Sequence, residues 1–145
     1  MKRILVTGAN KGIGLATVEN LLQNHPDTFL ILGSRDEKRG DEAVGFLTSK
    51  EPKWSDRLMM LAIDVSSDES VTLASETVAS SFETEAKPLY GIINNAGIGS
   101  SSIGLEPTLQ VNTWGIHRVC EAFIPLLEAS GRIVNVTSAA GPKFV

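Results

Sequence analysis

The sequence predicts an α/β fold in which a doubly wound parallel sheet carries helices on both faces. Two observations point to it. Short apolar runs, of which Phe29-Leu30-Ile31-Leu32 is the clearest, alternate with segments of helical periodicity. Strands that are apolar throughout, rather than at every second position, are buried on both sides. The stretch Thr7-Gly8-Ala9-Asn10-Lys11-Gly12-Ile13-Gly14 also lies between the apolar run Ile4-Leu5-Val6 and a helical pattern. That is the context in which a glycine-rich turn presents a helix N-terminus to a phosphate. Right-handed crossovers then make 3-2-1-4-5 the expected strand order.

Each element follows from its local pattern. Residues 2–7 read as the first strand, and residues 12–23 as a helix with Ile13, Ala16, Thr17, Val18, Leu21 and Leu22 at its apolar positions. Asn24-His25-Pro26-Asp27 is a turn. Residues 29–34 form the second strand, and residues 36–49 a helix capped near Asp36. Residues 58–63 form the third strand. Ser66-Ser67-Asp68-Glu69 is an N-cap cluster opening a helix that runs to about Phe82. Residues 89–94 form the fourth strand, and a Gly/Ser-rich loop follows over residues 97–104. Its patch Gly99-Ser100-Ser101-Ser102 falls beyond the C-terminal end of the fourth strand, where ligands bind in this architecture. Residues 107–129 read as mostly helical, and residues 131–138 carry a fifth strand, Arg132-Ile133-Val134-Asn135-Val136. No repeat or linker divides the chain, so residues 1–145 are expected to form a single domain.

Composition narrows the function classes. The chain is 42% hydrophobic and 21% charged, ordinary values for a globular protein. A net charge of −4 argues against nonspecific binding to nucleic acid or to an anionic membrane surface. No apolar run approaches the ~18–20 residues of a membrane span. The start, Met1-Lys2-Arg3-Ile4, lacks the apolar region of a signal peptide. Cys120 is the one cysteine, so no internal disulfide can form, and a cytoplasmic location is expected. No Cys/His cluster has metal-ligand spacing, so no metal is expected. His117 and Cys120 are three residues apart on a helical segment, but no third group orients them, and packing is the better reading of both.

The glycine turn suggests a division of labour. Gly8 lets the chain turn sharply after the strand. Gly12 removes a side chain where a pyrophosphate would approach, and Gly14 lets the helix pack close to the strand. Three further motifs accompany it in order: Asp64-Val65 after the third strand, Asn94-Asn95-Ala96-Gly97 ending the fourth, and Asn135-Val136-Thr137-Ser138-Ala139-Ala140-Gly141 ending the fifth. As a set, over the whole chain, these motifs resemble the short-chain dehydrogenase/reductase family with its Rossmann-like fold. The nearest likeness is to carbonyl reductases, through Asn10-Lys11-Gly12-Ile13-Gly14-Leu15, Ser34-Arg35-Asp36 with Arg39-Gly40, and Arg118-Val119-Cys120-Glu121.

The resemblance implies roles residue by residue. Gly8, Gly12 and Gly14 would line the pyrophosphate, with Asn10, Lys11 and Ile13 in the same turn. Asp64 would accept a hydrogen bond from the adenine amino group, with Val65 beside the ring. Asn95, Ala96 and Gly97 would stabilise the central sheet and flank the cofactor ribose. Asn112 would hold a helix bend and a proton-relay water, and Ser138 would donate a hydrogen bond to a substrate carbonyl. Cofactor choice also has a charge argument. An acid ending the second strand would hold a ribose 2′-hydroxyl, whereas this chain has Ser34-Arg35 there, with Lys11 able to reach the same place. Two cations favour a 2′-phosphate and hence NADP(H), and Arg39 is a third candidate contact.

The chain also departs from the family. The family's reaction uses a Tyr-x-x-x-Lys pair on the helix after the fifth strand, as proton donor and its partner. The one tyrosine here, Tyr90, opens the fourth strand and is followed four residues later by Asn94. The 145 residues are therefore expected to hold the cofactor half of the fold, C-terminally incomplete, and to be inactive alone. The stretch from Gly97 to Asn112 is also shorter than is usual in the family. Two readings stay open. One is the cofactor-binding part of an NADPH-dependent reductase acting on a ketone or aldehyde, with homo-oligomerisation open for the complete form. The other is a short NADP(H)-binding protein without chemistry. The first is favoured, because an isolated form would expose the apolar strand at residues 133–136.

Overall fold

A computed structural model describes residues 1–99 and 103–138. Its strands are Lys2–Val6 (β1), Thr28–Ser34 (β2), Leu58–Ala62 (β3), Leu89–Asn94 (β4) and Leu127–Asn135 (β5). They form one five-stranded sheet in the order β3-β2-β1-β4-β5, every neighbouring pair parallel. The expected order is the observed one. The helices are Gly12–Asn24 (α1), Glu37–Lys50 (α2), Asp68–Ser81 (α3), Leu105–Asn112 (α4) and Trp114–Phe123 (α5).

The apolar runs are continuous because both faces of the sheet are covered. Ile4 and Val6 of β1 pack with Leu30 and Leu32 of β2 against Val18 and Leu22 of α1 and Ala43 and Leu47 of α2. The residues between them, Leu5 and Ile31, face the other way, onto Val71, Ala74 and Val78 of α3 and Val119 and Phe123 of α5. Each fully buried side chain of this kind contributes about 1.5–3 kcal/mol. Asp36 caps α2 by accepting the Arg39 N–H at 2.9 Å, and Ser67 caps α3 by accepting the Ser70 N–H at 3.2 Å. At the edge of the second core, the Arg3 guanidinium grips both carboxylate oxygens of Glu85 at 2.8 and 2.9 Å and holds that carboxyl below the usual glutamate range.

Three expectations need correction. A short 3-10 helix, Pro52–Arg57, precedes β3 where no element was expected. The Arg57 guanidinium fixes it by donating to the carbonyls of Leu22, His25 and Thr28. The segment 107–129 is not one helix. It starts earlier, at Leu105, breaks at Thr113 (φ −117°, ψ −65°), resumes as α5 and ends in the 3-10 turn Ile124–Leu126 around Pro125. A proline has no N–H to continue the ladder, so the helix tightens and stops. Finally, β5 begins at Leu127, ahead of the expected start. Leu127 pairs with Leu89 and Arg132 with Gly91, so residues 128–131 lie irregularly opposite Tyr90. Regular pairing runs from Arg132 to Asn135, inside the stretch the sequence assigned to the strand.

The connections leave β1 towards β2 on one side, and β4 continues the sheet on the other. The carboxyl ends of β1 and β4 therefore flank a topological switch point, where open α/β sheets leave a crevice. Among the described residues no helix is long and apolar enough to cross a membrane.

Candidate functional site

A cleft of about 400 Å³ opens at that switch point. The glycine turn forms its floor. Gly12 has φ +57°, and a Cβ added there would meet nothing within 4 Å, so the backbone stands bare towards the cleft. Gly14 is tight instead, since a Cβ on it would fall 2.6 Å from the Gly8 carbonyl oxygen and collide with the Asn95 amide. Helix α1 starts there with no side chain capping it. The first N–H groups of a helix lack intrahelical acceptors, so this end presents donors and a partial positive charge to the cleft. Ile13 is 69% exposed at its mouth, away from the core position that its spacing suggested.

Thr7 and Asn95 lock the turn to the end of β4. The buried Thr7 hydroxyl accepts the N–H groups of Asn95 (3.1 Å) and Ala96 (3.0 Å). Asn95 Nδ2 donates back to the carbonyls of Thr7 (3.0 Å) and Gly8 (3.1 Å). Asn95 thus lines the cleft while its amide is committed to holding the turn. Asn94 ties β4 to β5, its Nδ2 donating to Asn135 Oδ1 at 2.9 Å. Thr7 is the positioning residue that sequence reasoning passed over. Its signal was a polar side chain at an inward strand position, where a hydroxyl must find partners.

Three cations, Lys11, Arg35 and Arg39, line the cleft. Among the described residues none of the three has an ion-pair partner. Asp36 lines it too, but its Oδ1 is taken by the Arg39 N–H as the α2 cap. Asp64 and Val65 wall the cleft alongside. Asp64 Oδ1 accepts the Ser66 N–H (2.9 Å) and hydroxyl (2.6 Å), so the residue both shapes its turn and faces the cleft.

The structure therefore brings Gly8, Asn10, Lys11, Gly12, Ile13, Arg35, Asp64, Val65, Asn95, Ala96 and Gly97 around one cleft, with Gly14 packed beneath it. Ile63, Ile98 and Val111 join them without having been anticipated. Asn112 and Ser138 are not part of this lining. Asn112 ends α4 and clamps Ile98 from both sides, accepting its N–H at 2.8 Å and donating to its carbonyl at 2.7 Å. Ser138 is exposed and follows β5, on the β4 side of the cleft. Residues 100–102 of the serine patch, and Ala139, Ala140 and Gly141 of the last motif, lie outside the described residues. Tyr90 packs against the core under α1 and α2, with Lys2 Nζ 5.2 Å from its ring, and does not line the cleft.

A bare glycine turn, an uncapped helix start and cations without ion-pair partners among the described residues, at the carboxyl ends of parallel strands, make the kind of crevice with which α/β domains bind dinucleotides. The chain belongs to the short chain dehydrogenase family, whose profile matches residues 2–145. It is 36% identical to bovine (Bos taurus) mitochondrial D-beta-hydroxybutyrate dehydrogenase, over 97% of this chain and 42% of the relative. It is 32% identical to carbonyl reductase [NADPH] 1 of Rattus norvegicus, over 93% of this chain and 48% of that protein. An NADPH-bound carbonyl reductase from chicken fatty liver superposes with a TM-score of 0.78 at 29% identity, over 97% of this chain and 61% of that one. The chain thus spans about half the length of the proteins it resembles. It is an oxidoreductase-family domain, and the family's nicotinamide cofactors suit the cleft.

Proposed function

We propose that this chain is the NADP(H)-binding part of a short-chain reductase that transfers hydride to a ketone or aldehyde carbonyl. The observation that carries the cofactor choice is the trio Lys11, Arg35 and Arg39, all lining the cleft without ion-pair partners among the described residues, with the neighbouring Asp36 engaged as a helix cap. A 2′-phosphate is a compact anion that such cations recognise through charge-assisted hydrogen bonds. The likeness to carbonyl reductases named for NADPH supports the same choice.

In this reading Gly8, Gly12 and the start of α1 hold the pyrophosphate, Asp64 and Val65 hold the adenine, and Asn95, Ala96 and Gly97 flank the ribose. The bound cofactor supplies the hydride. Ser138 donates a hydrogen bond to the substrate oxygen and so stabilises the negative charge that develops there. Asn112 fixes the loop after β4 through Ile98. The partner is a small carbonyl compound.

Titration calorimetry with NADPH and NADH tests the cofactor choice. NADPH should bind more tightly, and Arg35→Asp should weaken NADPH by about 10- to 100-fold, the worth of one or two charge-assisted bonds, while sparing NADH. Equal affinities for both cofactors in the unaltered protein would refute it. A second reading is an NADP(H)-binding protein without turnover, in keeping with Tyr90, which is half-buried against the core and does not line the cleft. Consumption of NADPH on adding an aldehyde or ketone, measured on the native gene product purified from its source, separates the two.

A further inference from the structure

Arg118 lies on α5 outside the cleft lining, yet its guanidinium joins two segments that shape the cleft, α4 and the Val65 turn, to the start of α3. Nη2 donates to Gln110 Oε1 at 2.7 Å and Nη1 to the Gln110 carbonyl at 3.0 Å, both in the last turn of α4. Nη1 also reaches the carbonyl of Val65 at 3.4 Å, whose side chain walls the cleft beside Asp64. Nε pairs with Asp68 Oδ1 at 2.7 Å, at the first residue of α3.

The ion pair is the lesser part of this arrangement. The Asp68 side chain is 86% exposed, and an ion pair in water contributes little. The bonds to Gln110 and Val65 are partly buried and replace something the fold has removed. In an unbroken helix the Gln110 carbonyl would accept the N–H of Trp114. The break at Thr113 interrupts that ladder, and the guanidinium supplies a donor in its place. Only a planar fork with several divergent donors can serve both segments at once. Two residues beyond Gln110, Asn112 grips both backbone groups of Ile98. The direction of α4 at the break decides whether that grip can form.

We infer that Arg118 is a positioning residue for the nucleotide cleft: its guanidinium fixes the α4–α5 break so that Asn112 clamps Ile98, and at the same time holds the Val65 wall. The inference rests on the dinucleotide reading only for its effect on NADPH. The clamp itself exists without ligand.

The test pairs amide hydrogen exchange of Ile98 in the ligand-free protein with NADPH affinity. Arg118→Met should lower Ile98 protection and weaken NADPH, each by about 10-fold or more. Arg118→Lys keeps a charge near Asp68 but cannot span the two carbonyls, so it should behave like Arg118→Met, and it carries the test if the methionine variant does not fold. Asp68→Asn should match the unaltered protein in both readouts. Arg57→Met serves as the structural control, since it also removes several carbonyl bonds, at a distance from the cleft, and should lower Tm alone. If the Arg118 variants lower Tm as Arg57→Met does and leave Ile98 exchange and NADPH binding unchanged, Arg118 is merely structural and the inference is overturned. If the unaltered protein binds no NADPH while Arg118→Met still frees the Ile98 amide, the cofactor reading fails and the positioning role stands.

Discussion

Arg35 and Asp36 are adjacent, both line the cleft, and carry opposite charges, so their separate engagements decide the field there. Asp36 spends one oxygen on the Arg39 N–H, whereas Arg35 has no ion-pair partner among the described residues. Substitution can separate the cap from the charge. Asparagine caps helices as well as aspartate does, so Asp36→Asn should leave Tm unchanged. It removes a negative charge from the cleft, so NADPH should bind roughly 2- to 5-fold tighter at low salt, with the gain shrinking as salt rises. Asp36→Ala should show the same gain in affinity and lose about 1 kcal/mol of stability with the cap. Calorimetry and thermal unfolding on the two variants read both effects, and a loss of NADPH affinity in Asp36→Asn would contradict this account of the cations. Residue identities in this region were legible in the sequence because the glycine turn and the strand end are local patterns. The direction of the Asn95 amide was not, because it depends on how closely β4 approaches the turn.

At the level of elements, the junction between the glycine turn and β4 is a polar seam inside an apolar sheet. One hydroxyl, that of Thr7, satisfies two backbone N–H groups across it. Thr7→Val keeps the shape and leaves both donors without that acceptor, at a cost of about 1–3 kcal/mol for each buried group left unpaired. Thermal unfolding should show the loss, and NADPH affinity should fall with it because Gly8 and Ala96 shift together. Thr7→Ser should retain most of both, and an undisturbed Thr7→Val would show that the seam is held by Asn95 alone. The strands were readable because burial on both faces writes an unbroken apolar run. The span 107–129 was misread because its helical periodicity continues across Thr113. The bonds that flank the break reach partners distant in sequence, from Arg118 to Val65 and from Asn112 to Ile98. Pro125 was the one local sign that the helix stops before residue 129.

The two edges of the whole sheet are unlike each other. On β3, Leu58 and Leu61 are buried, and Met60 lies against Gly40 of α2, so its apolar side chains are covered. On the β5 side Ile133, Val134 and Val136 are 39%, 50% and 43% exposed, and Ile124 just ahead is 47% exposed. A strand edge of β-branched residues carries unpaired backbone groups beside an apolar surface, which is a template for a further strand. The 145-residue chain should therefore self-associate through β5. Val134→Lys places a charge on that edge and should lower the weight-average mass in sedimentation experiments at tens of micromolar. Leu73→Lys, at a 62% exposed position on α3, should not. Thermal unfolding adds the discriminating sign. If the edge is open, Val134→Lys changes Tm little, because a half-exposed lysine stem covers apolar surface while its ammonium stays in water. If further polypeptide covers the edge, the same substitution buries a charge and lowers Tm sharply. Equal association of both lysine variants with the unaltered chain would show that contacts elsewhere drive it. A mass drop without a Tm change would identify β5 as an open edge through which the chain self-associates.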